Sequence, residues 1–169
     1  QDFLQLTACF LHLARIRIAH FCISLIIKNM KRVLYLLVQC TWGLGQTILG
    51  LFFFLKNIRR PHRFYRCAIE TQWNKKYMGL SLGPFIFTPT NPDETYYKGV
   101  RTHEYGHTFQ SLILGPFYAL VGIISTTWGM LIHPILKKKT NKEPAYTACF
   151  VEYQASWLGE KITGEKAMW

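Results

Sequence analysis

Residues Val33 to Leu55 read VLYLLVQCTWGLGQTILGLFFFL, a run of 23 positions without a charge. As one helix it would measure about 34 Å, against a hydrocarbon core of about 30 Å. The run is therefore expected to be a transmembrane helix. A signal peptide would be shorter in its apolar part and end in small residues, whereas this run leads into the bulky LFFFLKNIRR. Gly43, Gly45 and Gly50 suggest a face for close helix packing.

The rest of the composition agrees with a membrane setting. Apolar residues make up 50% of the 169 positions and charged residues only 17%, with a mean hydropathy of +0.08. Intrinsic disorder is excluded, because such a chain has ample apolar surface to bury. The net charge of +11 would by itself suggest nucleic acid or an anionic surface as partner. Position decides in favour of the lipid bilayer. Lys28, Lys31 and Arg32 precede the first run, Lys56, Arg59, Arg60, Arg63 and Arg66 follow it, and Lys137, Lys138, Lys139 and Lys142 follow a second run. These are juxtamembrane cations, and no nucleic-acid-binding motif accompanies them. The five cysteines are scattered, without the Cys-x-x-Cys spacing of zinc or redox sites. Cys40 reads as a small hydrophobe.

Residues 1–29 are apolar enough to tempt a second span but carry Arg15 and Arg17 near their centre, each costing about 2.5 to 3.5 kcal/mol in a bilayer. With Met30-Lys31-Arg32 reading like a natural start, this stretch is expected to be an upstream extension or artefact, or else an interfacial amphipathic helix. Residues 30–169 are expected to form one membrane-embedded domain. The strand-like runs FYRCAIETQW and MGLSLGPFIF, separated by NKKY, predict a β-hairpin over 63–87. Gly79 to Phe87 is either an edge strand able to pair with an extended peptide or a core strand. The loop TPTNPDE then places Asp93-Glu94 before a helix over 95–114. From Thr108 to Leu136 no Lys, Arg, Asp or Glu occurs, but Gly115-Pro116 interrupts and His133-Pro134 closes the stretch. The broken element 116–136 is therefore one kinked span or a re-entrant hairpin. Glu143-Pro144 is expected to open a last helix over 145–161, ending at Gly164.

The sharpest signal is His103-Glu104-Tyr105-Gly106-His107, an H-E-x-x-H pattern. On a helix the two histidines share a face with Cβ atoms about 5 to 6 Å apart, so both imidazoles can reach one Zn²⁺. Glu104 can take the proton of a water that the metal has acidified, generating hydroxide for attack on a carbonyl. A catalytic zinc needs a third protein ligand. The position six residues past His107, where a metzincin has a third His, is Ile113. Glu143 sits beside a helix-opening proline, and Glu160 and Glu165 lie near the C-terminus. Glu152 is the best candidate, read as mid-helix with Ala155, Ser156 and Gly159 forming a small-residue stripe toward the motif helix. His133 is the runner-up.

The pairing of His103-Glu104-x-x-His107 with Glu152-Tyr153-Gln154-Ala155-Ser156 resembles the membrane gluzincin family that includes the CaaX prenyl endopeptidase and the bacterial heat-shock membrane protease. That resemblance implies His103, His107 and Glu152 as ligands of one Zn²⁺ and Glu104 as the base. Ser156 departs from the family, which has an Asp there to hydrogen-bond a ligand histidine. More closely, MKRVLYLLVQCTWGLGQT with HEYGHTFQSLILGP looks like a group of small uncharacterised bacterial membrane proteins, and this brings no substrate with it. Gln110 and Ser111 lie one turn beyond the histidines and either orient ligands or hydrogen-bond locally. Tyr105, Tyr146 and Tyr153 are candidate oxyanion donors, with packing as the plainer role.

The expectation is thus a mainly α-helical integral membrane protein with a short β-hairpin, hydrolysing a peptide or membrane-protein substrate near the membrane surface. The competing expectation is a non-catalytic membrane protein that uses the helix pair as a scaffold or partner-binding module. Basic residues flank both ends of Val33 to Leu55, so topology stays open. The resemblance and the five-cation cluster favour a cytoplasmic site in a bacterial cell membrane.

Overall fold

A computed structural model describes residues 27–90 and 93–168, together with Arg17 and Ser24. The expectations for residues 1–26 lie outside the described residues, as does the centre of the 88–94 loop. The chain divides into two units, Gln1–Leu34 and Tyr35–Trp169. In the first, residues 27–34 are helical. The second is mostly helical, with a small mixed sheet.

The charge-free run 33–55 is not the single straight helix expected but a bent pair, a broken span or a re-entrant loop by length and composition. Helix α1, Ile27–Thr41, and helix α2, Leu44–Lys56, are bent by 104° at Trp42–Gly43. The polar residues inside the run explain the break. Gln39 donates to Thr108 O (3.0 Å), Gln46 donates to Ser111 Oγ (3.0 Å) and Gly115 O (2.9 Å), and Thr47 Oγ1 donates to Gln39 O (2.7 Å). These groups bury their hydrogen-bonding capacity against the protein, whereas a straight helix would leave part of it in an apolar medium. Gly43 is required at the corner, where a Cβ would stand 2.8 Å from Gln39 Oε1. The expected glycine face is not a helix contact. Gly50 packs against Leu82 O and the Phe85 ring, and Gly45 faces open space.

Residues 62–89 form two hairpins rather than one. Strands β1, His62–Tyr65, and β2, Ala68–Trp73, pair antiparallel, as do β3, Leu80–Leu82, and β4, Phe85–Pro89. β2 and β4 pair in parallel with Glu70 opposite Ile86, giving the order β1-β2-β4-β3. Each strand-like run carries its own turn: Arg66 at φ 55° in the first, and Gly83 at φ 57° followed by Pro84 in the second. β4 is buried along its whole length and β3 is left at the edge. Phe53 and Phe54 of α2 pack on the Trp73, Phe85, Phe87 cluster, while Ala68 and Ile86 meet Tyr35, Tyr65 and Tyr105.

Asp93 caps helix α3, Glu94–Leu114, its carboxylate accepting from Thr95 N (2.9 Å) and Tyr96 N (3.2 Å). Gly115, at φ 51° and ψ −123°, ends α3, so the expected break at Gly115-Pro116 is present. A 3₁₀ turn, Gly115–Phe117, leads into α4, Tyr118–Thr127. His133-Pro134 does not close the stretch, however. A π turn over Trp128–Ile132, with His133 N–H donating to Trp128 O, accommodates the missing N–H of Pro134, and α5 continues over His133–Thr140. Glu94–Thr140 is, among the described residues, the helical stretch long and apolar enough to cross a membrane.

After Pro144 the chain makes a 3₁₀ turn, Tyr146–Ala148, and α6 begins only at Phe150, running to Thr163 and ending at Gly164 (φ 73°). The last helix is thus shorter than 145–161 at its start, because Ala145 and Cys149 are extended at ψ 132° and 122°. α6 lies directly on α3. A Cβ at Gly106 would run into Ala155 O, and one at Gly159 into Thr102 O. The stripe of Ala155, Ser156 and Gly159 makes this approach possible.

Candidate metal centre

Spacing on α3 brings the His103 and His107 rings together edge to face, with centroids 4.7 Å apart. The α3–α6 contact brings Glu152 to both. Its Oε2 lies 3.1 Å from His103 Nε2 and 3.5 Å from His107 Nε2. Ligand atoms of the three buried residues all lie within 4.8 Å of one another, so the group can hold a metal ion. Glu152 is not mid-helix. It stands in the first turn of α6, where the free N–H groups favour a carboxylate. Burial works to raise its pKa, but hydrogen bonding to His103 and His107 outweighs this and holds the carboxyl well below the usual range.

A second layer orients the imidazoles. His103 Nδ1 lies 2.9 Å from Ser156 Oγ and His107 Nδ1 lies 2.7 Å from Gln110 Oε1. Ser156 therefore supplies the hydrogen bond for which the resemblance has an Asp. Gln110 bonds both within α3, to His107, and across to α6, donating from Nε2 to Val151 O (2.8 Å) and to Gln154 Oε1 (3.0 Å). Ser111 instead bonds Gln39 and Gln46 and braces the α1–α2 corner.

This network tests whether a cation fits. The Val151 carbonyl can only accept, which assigns the Gln110 NH₂ to it and turns Oε1 toward His107. His107 Nδ1 must then donate, leaving a bare lone pair on Nε2 in the neutral ring. That lone pair faces a carboxylate oxygen, a contact that either a proton on the ring or a metal ion between the two would satisfy. Glu152 Oε1 is also buried without a hydrogen-bond partner among the described residues. Two imidazole nitrogens and one carboxylate, each imidazole tied at its other nitrogen, form a donor set that can hold a metal ion.

Glu104 lies beside the triad and lines the same cleft of about 440 Å³. Gly79, the residue before β3, covers it closely, since a Cβ there would collide with the Glu104 carboxylate. Tyr146 lines the cleft, with its ring centroid 6.4 Å from that of His103. Tyr153 is 55% exposed and outside the cleft, and Tyr105 is packed in the core against Tyr65 and Phe109. His133 bonds Pro144 O at 3.0 Å and stands apart from the triad.

Tyr118 escaped the sequence reading, and Gly79 and Ser81 entered it only as part of the Gly79 to Phe87 strand. Ser81 Oγ is buried without a partner among the described residues, and the Tyr118 hydroxyl donates to Ser81 O at 3.3 Å. Tyr118 stands beyond the break at Gly115, so helical spacing from His107 does not reach it; its ring centroid lies 6.5 Å from that of His107. No protein-family model, curated protein or solved structure matches this chain.

Proposed function

We propose that this chain is a membrane-embedded, zinc-dependent peptidase, with its site toward the cytoplasmic face of a bacterial membrane. The observation that carries the reading is the convergence of His103, His107 and Glu152 beside Glu104 in one cleft bordered by an edge strand. His103 Nε2, His107 Nε2 and Glu152 would hold the ion. When bound, such an ion supplies Lewis acidity to a carbonyl and acidifies water. The Glu104 carboxylate accepts the proton of the attacking water and returns it to the leaving amine. β3 offers unpaired backbone groups on its free edge to an extended peptide. The Tyr146 and Tyr118 hydroxyls line the same cleft, and either would serve as an oxyanion donor on turning from its present partner, Ser125 for Tyr146 and Ser81 O for Tyr118.

The membrane part of the proposal rests on inverted burial. On α2, Gln46, Thr47 and Gly50 are buried while Ile48, Leu49, Leu51, Phe52 and Leu55 are exposed. On α4, Leu120, Ile123 and Ile124 are likewise exposed. Apolar surface on this scale calls for a partner, and lipid fits two helices that carry it outward. The cation cluster that follows α2 favours the cytoplasmic side.

Metal analysis and peptide hydrolysis on two variants test the proposal. Glu104→Gln is expected to keep zinc and lose at least about 10²-fold in rate. His107→Ala is expected to lose zinc and activity together. Equal zinc loss in both variants would make Glu104 structural. A zinc-loaded wild type that cleaves no member of a peptide and membrane-protein panel would leave the helix pair as a scaffold.

A further inference from the structure

Resting on the membrane reading above, we infer that α1 and α2 form a re-entrant hook that enters the anionic leaflet and returns to the side it came from. Neither limb is long enough to cross. α1 measures about 22 Å and α2, with 13 residues, about 20 Å, against about 30 Å of hydrocarbon. A 104° bend between them gives a V that reaches roughly half way through.

The corner is built for that depth. Irregular backbone is tolerated inside a bilayer only where protein satisfies its polar groups. Here Gln39 and Gln46 bond Thr108 O, Ser111 and Gly115 O, and Thr47 bonds Gln39 O across the turn. The Trp42 ring lies on Gly115, where a Cβ would collide with it, so the two chain breaks close against each other. The outward surface of α2 is apolar and exposed from Leu44 to Leu55.

Charge selects the lipid and the topology. Lys28, Lys31 and Arg32 lie in the opening turns of α1, ahead of its apolar part, and Lys56, Arg59 and Arg60 stand at the end of α2 and just after it. Cations stay on the cytoplasmic side, where anionic headgroups attract them. A crossing segment would carry one of the two clusters to the opposite face. A returning segment keeps both with the anionic leaflet.

The clusters are themselves trypsin sites, so the full-length protein can be read directly in sealed right-side-out and inside-out membrane vesicles, with the cut bonds identified by mass spectrometry. Cleavage at Lys28–Arg32 and at Lys56–Arg63 in the same vesicle population is expected, with neither cut in the other. Cleavage of the two clusters from opposite faces would overturn the hook and establish a span. Where folding protects either bond, a membrane-impermeant maleimide on Asn29→Cys and His62→Cys, in a background with the native cysteines changed to serine, gives the same reading. Alkaline carbonate washing of the same membranes separates the two levels of inference. Release into the supernatant would overturn the membrane reading and the hook with it, whereas retention with opposite-face cleavage would overturn the hook alone.

Discussion

Replacing Gln110 by Leu isolates the device that sets the metal site's polarity. Leu has nearly the volume of Gln, so the effect is polar and not steric. The wild-type amide accepts from His107 Nδ1 at 2.7 Å and donates to Val151 O at 2.8 Å. In the variant the buried Nδ1–H loses its acceptor, and the ring becomes free to place its proton on Nε2, the atom a metal needs bare. Loss of such an outer hydrogen bond lowers metal affinity by about 10- to 100-fold, which corresponds to about 1.4 to 2.7 kcal/mol. Unpaired buried groups also cost about 1 to 3 kcal/mol of apo stability. Competition titration of Zn²⁺ against a chromophoric chelator reads the first quantity, and thermal unfolding of the metal-free protein reads the second. Gln110→Glu keeps an acceptor for Nδ1–H, so its zinc affinity is expected to exceed that of the Leu variant by at least about tenfold. A folded Gln110→Leu protein that binds zinc as tightly as wild type would refute the argument that Gln110 fixes the His107 tautomer.

The other expectations concern packing, capping and charge. Gly106→Ala drives a methyl group into Ala155 O and should cost about 1 to 3 kcal/mol together with weakened zinc binding. Gly45→Ala, whose methyl meets open space within a helix, should stabilise by about 0.5 to 1 kcal/mol in the same thermal assay. Asp93→Ala removes the α3 cap and should cost about 1 kcal/mol by denaturant unfolding. For Glu165, burial works to raise the pKa, but hydrogen bonds from Arg101 and Tyr65 prevail and lower it. A lowered carboxyl contributes stability above its unfolded value, so Glu165→Gln should melt below wild type at neutral pH. That gap, at most about 1 kcal/mol for a carboxylate one-third exposed, should close as the pH falls below about 4.3.

The metal centre was more legible in the sequence than the fold around it, because its determinants are local. His103, Glu104 and His107 need only the 3.6-residue helical repeat to share a face. Glu152 was reachable because Ala155, Ser156 and Gly159 advertise a surface on which another helix can lie, and the structure uses that surface against Gly106 and Thr102. The sheet was less legible. FYRCAIETQW and MGLSLGPFIF each look like one strand when scored by apolar and aromatic content, and the turns within them are short. Gly83-Pro84 was a readable signal; Arg66 at φ 55° was not, since nothing in Arg favours the left-handed region. Its guanidinium donates to Thr163 O at 2.8 Å, a tertiary contact that helps hold the turn from outside.

The bend within Val33 to Leu55 escaped the sequence reading for a different reason. Averaged hydropathy counts Gln39, Gln46 and Thr47 as small debits in a long apolar sum, whereas each is a polar group that must find a partner wherever lipid replaces water. Three such groups within nine residues, flanking Trp42-Gly43, therefore point to a tertiary interface, and a glycine between them offers the place to bend. Their partners are Thr108, Ser111 and Gly115, the turns of α3 immediately after His107. The corner that interrupts the apolar run thus clamps the end of the motif helix, while Ser156 of α6 and Gln110 of α3, itself tied to α6, fix the imidazoles. Polar residues inside apolar segments do both jobs. In a chain this poor in charge, they are the positions where structure and site can be read together.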